Sequence, residues 1–111
     1  MTKITYFTKP EDDFFYLKVD GHAGYAEKGG DIVCAAVSAL ACTLSARVMD
    51  TTAEACYDVY ADKEHGRMLI SASGKHAMEA FETVITGLKD VAYAFPEYVS
   101  VTETEQNNGG V

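Results

Sequence analysis

Basic charge is what this sequence is shortest of. Nine Lys and Arg stand against seventeen Asp and Glu, a formal net charge of −8 over 111 residues. The nine are scattered and form no run, which argues against the clustered phosphate contacts that nucleic-acid binding requires. No direct nucleic-acid partner is expected. The acidic surface would instead draw a basic peptide or protein by long-range steering. Cysteine is scarce too. Cys34, Cys42 and Cys56 are odd in number and show no CxxC spacing, so no disulfide framework is expected. Lys3 leads straight into a strand-like pattern and no secretory signal is visible; the expected setting is a reducing cytoplasm. No apolar run reads as long enough to cross a bilayer. The longest, Ile32 to Leu44, is interrupted by Ser38, Thr43 and small residues, and no membrane partner is expected.

What is present suits one globular domain: 48% of the residues are apolar and 11% aromatic, enough to build a core. Thr2 to Thr8 alternates as a strand. Lys9 to Asp13, with Pro10, reads as a turn. Phe14 to Asp20 is a second strand with Phe15, Leu17 and Val19 on one face. Gly21 to Gly30 is a loop. Asp31 precedes a helix running to about Thr51, where Val33, Val37, Leu40, Leu44 and Val48 recur at helical spacing. The other faces of that helix are also small or apolar, which predicts cover on most sides. Ala55 to Ala61 and Arg67 to Ser73 form a second hairpin around the polar insert Asp62 to Gly66. Lys75 to Phe95 is amphipathic and Pro96 ends it. Tyr98 to Thr104 is a last strand. The expected fold is α+β, in the order ββαββαβ: a five-stranded, mostly antiparallel sheet with two helices, one domain over 1–104. A disordered tail is expected over 105–111.

The stretch from Gly21 to Leu40 carries the chemistry. Asp31 is a strong N-cap residue, which makes Ile32, Val33 and Cys34 the first helical positions. Backbone N–H groups there lack intrahelical partners and the helix dipole is positive. Both favour thiolate, the nucleophilic form. The same N–H groups would hold the oxyanion of a tetrahedral intermediate. The carboxylate of Asp31 acts against the thiolate, so a cation is needed nearby, and His22 would supply it. Gly24, Gly29 and Gly30 let the loop double back and bring the imidazole to Cys34, giving the minimal nucleophile–base pair. Gly21 and Ala23 flank His22 with almost no side chain, leaving room for a substrate backbone. Ser38, one turn beyond Cys34, would donate a hydrogen bond toward the site, and Asp31 would orient the imidazole.

Each residue also has a plain structural reading. Cys34 could be a buried core thiol, His22 a hydrogen-bonded loop histidine, Asp31 only a cap, and Ser38 a sign of close helix packing. Cys42 and Cys56 lie inside regular elements and read as core. His65 reads as solvated in its turn and His76 as exposed at the start of the second helix. A metal site from His22, Asp31 and Cys34 lacks the paired spacing of zinc ligands; no metal or cofactor is expected. The glycine-rich loop matches neither a phosphate-binding nor a dinucleotide-binding pattern. Three functions stay open on the residues alone: nucleophilic catalysis by Cys34, a non-enzymatic protein-binding module, and a redox sensor at Cys34, which lacks a resolving cysteine nearby.

Gly21-His22-Ala23, followed by Gly30-Asp31-Ile32-Val33-Cys34-Ala35-Ala36-Val37-Ser38, resembles the signature of the ribosomal-processing cysteine protease Prp, a family of small bacterial proteins. Size, element order and an acidic C-terminal strand extend the resemblance over the whole chain, with no departure from the motif. The resemblance implies a cysteine endopeptidase with Cys34 as nucleophile and His22 as base, and Asp31 and Ser38 as supporting residues. The implied partner is the N-terminal leader peptide of a large-subunit ribosomal protein, number twenty-seven, cut after a short hydrophobic, aromatic-containing stretch. It further implies a homodimer and a mobile loop over the site, here Ala23 to Gly30.

Overall fold

Phe15, Leu17 and Val19 alternate with more exposed neighbours, and the chain uses that alternation as a strand buried on one face. The computed structural model describes residues 1–24, 26, 31–50 and 56–105. Strands β1 (Thr2–Lys9) and β2 (Phe14–Asp20) form an antiparallel hairpin around the short 3-10 turn Pro10–Asp12. Helix α1 (Ile32–Asp50) follows, then the hairpin of β3 (Cys56–Asp62) and β4 (Arg67–Ser73), helix α2 (Lys75–Ala94) and strand β5 (Val99–Glu103). The sheet order is β3-β4-β2-β1-β5. Three neighbouring pairs are antiparallel, whereas β5 runs parallel to β1. The parallel pairing follows from the α2 crossover, which returns the chain to the same end of the sheet. The expected tail begins at Glu105; its residues 106–111 lie outside the described residues.

The core lies between one face of the sheet and the two helices. Ile4, Phe15, Leu17 and Ile70 meet Val33, Leu44, Phe81 and Leu88 there, all at 2% exposure or less. Burying each such side chain contributes roughly 1.5–3 kcal/mol. Phe81 of α2 stacks on Phe15, with ring centroids 4.6 Å apart, and tilts against Tyr6 at 5.6 Å. On the opposite sheet face Phe7 is 7% exposed, stacked on Tyr16 at 5.2 Å and tilted against Phe14 at 6.0 Å.

Helix α1 departs from its sequence-based expectation twice. By length and composition it is apolar enough to cross a membrane, because Ser38 and Thr43 dilute the run without breaking it. Nor is it covered on most sides. It buries one face, Val33, Val37, Ala41, Leu44, Ser45 and Val48, and leaves Ile32 62% and Met49 41% exposed. The physical reason is the two-layer architecture: one sheet and one neighbouring helix leave the remaining flank of α1 without a layer above it.

Candidate active site

One end of the sheet gathers the candidate residues. There β2 ends at Asp20, in register with Lys3 of β1 and Arg67 of β4, and Arg67 is in register with Asp62 of β3. Gly21 follows with φ +94°. Its N–H donates to the Gly66 carbonyl at 2.8 Å, and its carbonyl accepts from Thr2 Oγ1 at 3.1 Å. A Cβ on Gly21 would meet the Met1 carbonyl oxygen at 2.8 Å. The space of the missing side chain is therefore taken up by the Met1 backbone. Ala23 has a similar correction: it is 2% exposed and part of the core, where its small methyl fits the packing. Between them His22 projects outward and is exposed.

On the other side of the site the Asp31 carboxylate caps α1. Its Oδ1 accepts the Cys34 N–H at 2.8 Å and its carbonyl accepts the Ala35 N–H at 3.0 Å. The cap places Cys34 in the first turn, half-buried and resting against the edge of the core. Cys34 Sγ lies 3.8 Å from His22 Nδ1, within reach of a sulfur hydrogen bond. The expectation that the Cys34 N–H would await an oxyanion needs correction: it is already donated to Asp31. Cap and oxyanion hole draw on the same orphan donors, which leaves the amides of Ile32 and Val33 in the first turn outside these two bonds.

Two clefts meet at the His22–Cys34 pair. One, of about 290 Å³, runs between α1 and the β3–β4 hairpin, with Val19, Val37, Ala41 and Met68 among its walls. The other, of about 470 Å³, lies between Gly24 and Ala26 on one side and Asp31 and Ala35 on the other. His22, Cys34 and Ser38 line both. Among the described residues, Gly24 (φ +75°) has nothing within 4 Å of where a Cβ would sit. Gly29 and Gly30 lie outside the described residues, as does most of the expected mobile loop. Among the described residues no three His, Cys, Asp or Glu side chains gather to hold a metal ion.

A profile of the family described as cysteine protease Prp matches residues 1–100. The chain belongs to the Prp family. It is similar to the ribosomal processing protease Prp from S. aureus in complex with a covalently linked product peptide, at 24% identity and a TM-score of 0.82, covering 94% of this chain and 100% of that one. It resembles the same protease in complex with a substrate peptide at 22% identity and TM-score 0.75, with 94% and 100% covered. It also resembles SMU.848 from Streptococcus mutans at 25% identity and TM-score 0.72, with 96% of each chain covered. No curated protein shows a significant match. These structures share the ββαββαβ Prp architecture.

Sequence reasoning brought together His22, Cys34, Asp31 and Ser38, and this Prp-family structure does the same. It missed the hairpin. Asp62, Lys63, Gly66 and Arg67 line the first cleft, yet the first three read only as a polar turn and Arg67 only as the start of a strand. The signal that finds them is strand register, which places the β3–β4 turn beside the end of β2. Cys42 and Cys56 were expected in the core; both are exposed. Cys42 lies on the uncovered flank of α1 and borders the first cleft, and Cys56 starts the edge strand β3. His65 is exposed as expected, and its Nδ1 lies 2.7 Å from Asp62 Oδ2. That hydrogen bond, joined by one from the His65 backbone, holds the Asp62 carboxyl below its usual range.

Proposed function

We propose that this chain is a cysteine endopeptidase that removes the N-terminal extension of bacterial large-subunit ribosomal protein twenty-seven, acting in the cytoplasm as a homodimer. The observation that carries the reading is the 3.8 Å approach of Cys34 Sγ to His22 Nδ1 where two clefts meet. In this reaction His22 Nδ1 takes the thiol proton as Sγ bonds to the scissile carbonyl carbon. Collapse of the tetrahedral intermediate breaks the C–N bond, and the imidazolium gives its proton to the leaving amine. Water then adds to the thioester, its proton passing to His22, and the acid leaves as the thiol is restored. First-turn amides outside the Asp31 cap, those of Ile32 and Val33, would face the oxyanion.

The substrate class rests on three supports. The clefts on either side of the pair suit an extended chain crossing it, and the apolar walls of the first suit hydrophobic residues ahead of the cut. The net charge of −8 suits a basic segment beyond it. The similar S. aureus proteases hold a substrate peptide and a covalently linked product peptide. The homodimer is supported by the apolar residues that α1 leaves exposed, Ile32 and Met49.

The test is incubation of the full chain with a synthetic leader peptide, read by mass spectrometry. The wild type should yield one cut, while Cys34→Ala and His22→Ala should yield none and retain their fold. Cleavage by Cys34→Ala at the wild-type rate overturns the proposal. Binding of the peptide with no product from any variant supports a non-enzymatic module instead.

A further inference from the structure

The imidazole of His22 does not hang free in the cleft. A Cβ built on Gly66 would lie 2.9 Å from Cε1, 2.9 Å from Nε2 and 3.1 Å from Nδ1 of that ring. Near-equal distances to three ring atoms place that Cβ position over the face of the imidazole rather than at its edge. The same glycine accepts the Gly21 N–H through its carbonyl at 2.8 Å. One residue of the β3–β4 turn thus holds both the backbone leading into His22 and the plane of its ring. Its φ is +63°, in the left-handed region.

We infer that Gly66 is a positioning residue for His22, whose missing side chain lets the imidazole lie flat on the hairpin with Nδ1 aimed at Cys34 Sγ. The inference rests on the proposed Cys34–His22 pair. Its logic lies in where a substitution would send the strain. The Gly66 backbone is fixed by the strand pairing of Arg67 and by the bond from Gly21. The His22 side chain is exposed. An added methyl is therefore relieved by swinging the ring into solvent, a movement cheap for the fold and costly for the pair, because a catalytic group displaced by about 1 Å loses much of its effect.

A double-mutant cycle tests this in the full chain. Wild type, Gly66→Ala, His22→Ala and the double variant are treated with iodoacetamide at neutral pH, and modification of Cys34 is followed by peptide mass spectrometry, separately from Cys42 and Cys56. His22→Ala is expected to slow Cys34 alkylation about tenfold or more. Gly66→Ala should approach the same rate, and the double variant should be no slower than His22→Ala alone. Equal slowing by Gly66→Ala with and without His22 overturns the inference, since the effect then bypasses the ring. So does a wild-type rate in folded Gly66→Ala. Gly66→Asn separates backbone strain from the ring contact, because Asn tolerates the left-handed region better and carries the same Cβ. It should match Gly66→Ala; a wild-type rate in this variant also overturns the inference, including where Gly66→Ala does not fold. If His22→Ala alone leaves the rate unchanged, the Cys34–His22 pair itself is wrong, and the role of Gly66 falls with it.

Discussion

The two hairpins of this protein both turn through a residue of positive φ, but they fill it differently. The β1–β2 turn uses Asp13 at φ 49°, and the β3–β4 turn uses Gly66 at φ 63°. Asp13 is exposed, and its backbone serves as a connector: its N–H donates to Pro10 O at 3.2 Å and its carbonyl accepts the Gly74 N–H at 2.9 Å. The backbone region alone therefore does not demand glycine, since an aspartate occupies it at the opposite end of β2. What demands glycine at position 66 is the neighbour, the ring of His22. A turn residue that looks like routine punctuation in sequence can be fixed by a group from a distant part of the chain.

The comparison can be tested at several strengths. The largest effect belongs to the group that the second turn serves. Cys34→Ala should lower peptide cleavage by about 10³-fold or more, with a denaturation midpoint close to that of the wild type, because the side chain is only half-buried. Next is the contrast itself. Gly66→Ala should lower kcat by about 10²-fold, the scale of a displaced general base, whereas Asp13→Ala should leave turnover unchanged. Equal losses in the two turns would break the comparison.

Asp31→Ala should cost about 1 kcal/mol of stability in urea unfolding through loss of the cap on the Cys34 N–H, with no change in the hairpins. The smallest effect is a pH dependence confined to the second turn. The Asp62 carboxyl is held below its usual range, first by the His65 side chain. A depressed carboxylate contributes stability above its unfolded value and loses it as pH falls through the folded one. The thermal midpoint of the wild type should therefore exceed that of Asp62→Asn near pH 6, with the gap closing below about pH 4.

The sequence made the element order legible because apolar spacing changes visibly between strands and helices. Phe15, Leu17 and Val19 announced β2, and Asp31 announced the start of α1. It also brought His22 to Cys34, since glycines allow the loop to return. Other features depended on contacts that local patterns do not carry. An apolar helix surface does not say whether a neighbour will cover it, so Cys42 read as core and the flank carrying Ile32 as covered, and both proved exposed. Small residues beside His22 suggested open space, but Met1 fills it at Gly21 and the core fills it at Ala23. The parallel placement of β5 and the seat of His22 on Gly66 depend on which strands become neighbours in the sheet.

That last strand has a consequence for when the protein becomes competent. Thr2 is tied to the far end of the chain: its N–H donates to Tyr98 O at 2.9 Å, and β1 pairs with β5 from Thr2 onward. The same threonine bonds the Gly21 carbonyl beside His22. Joining segments so distant in sequence is a slow event in folding. Under the proposed function, a chain still emerging during synthesis would hold Cys34 and His22 before the segment that helps to align them, so self-assembly itself would delay the onset of cutting. Deleting 99–105 should leave a chain in which removing His22 no longer changes how fast Cys34 is alkylated.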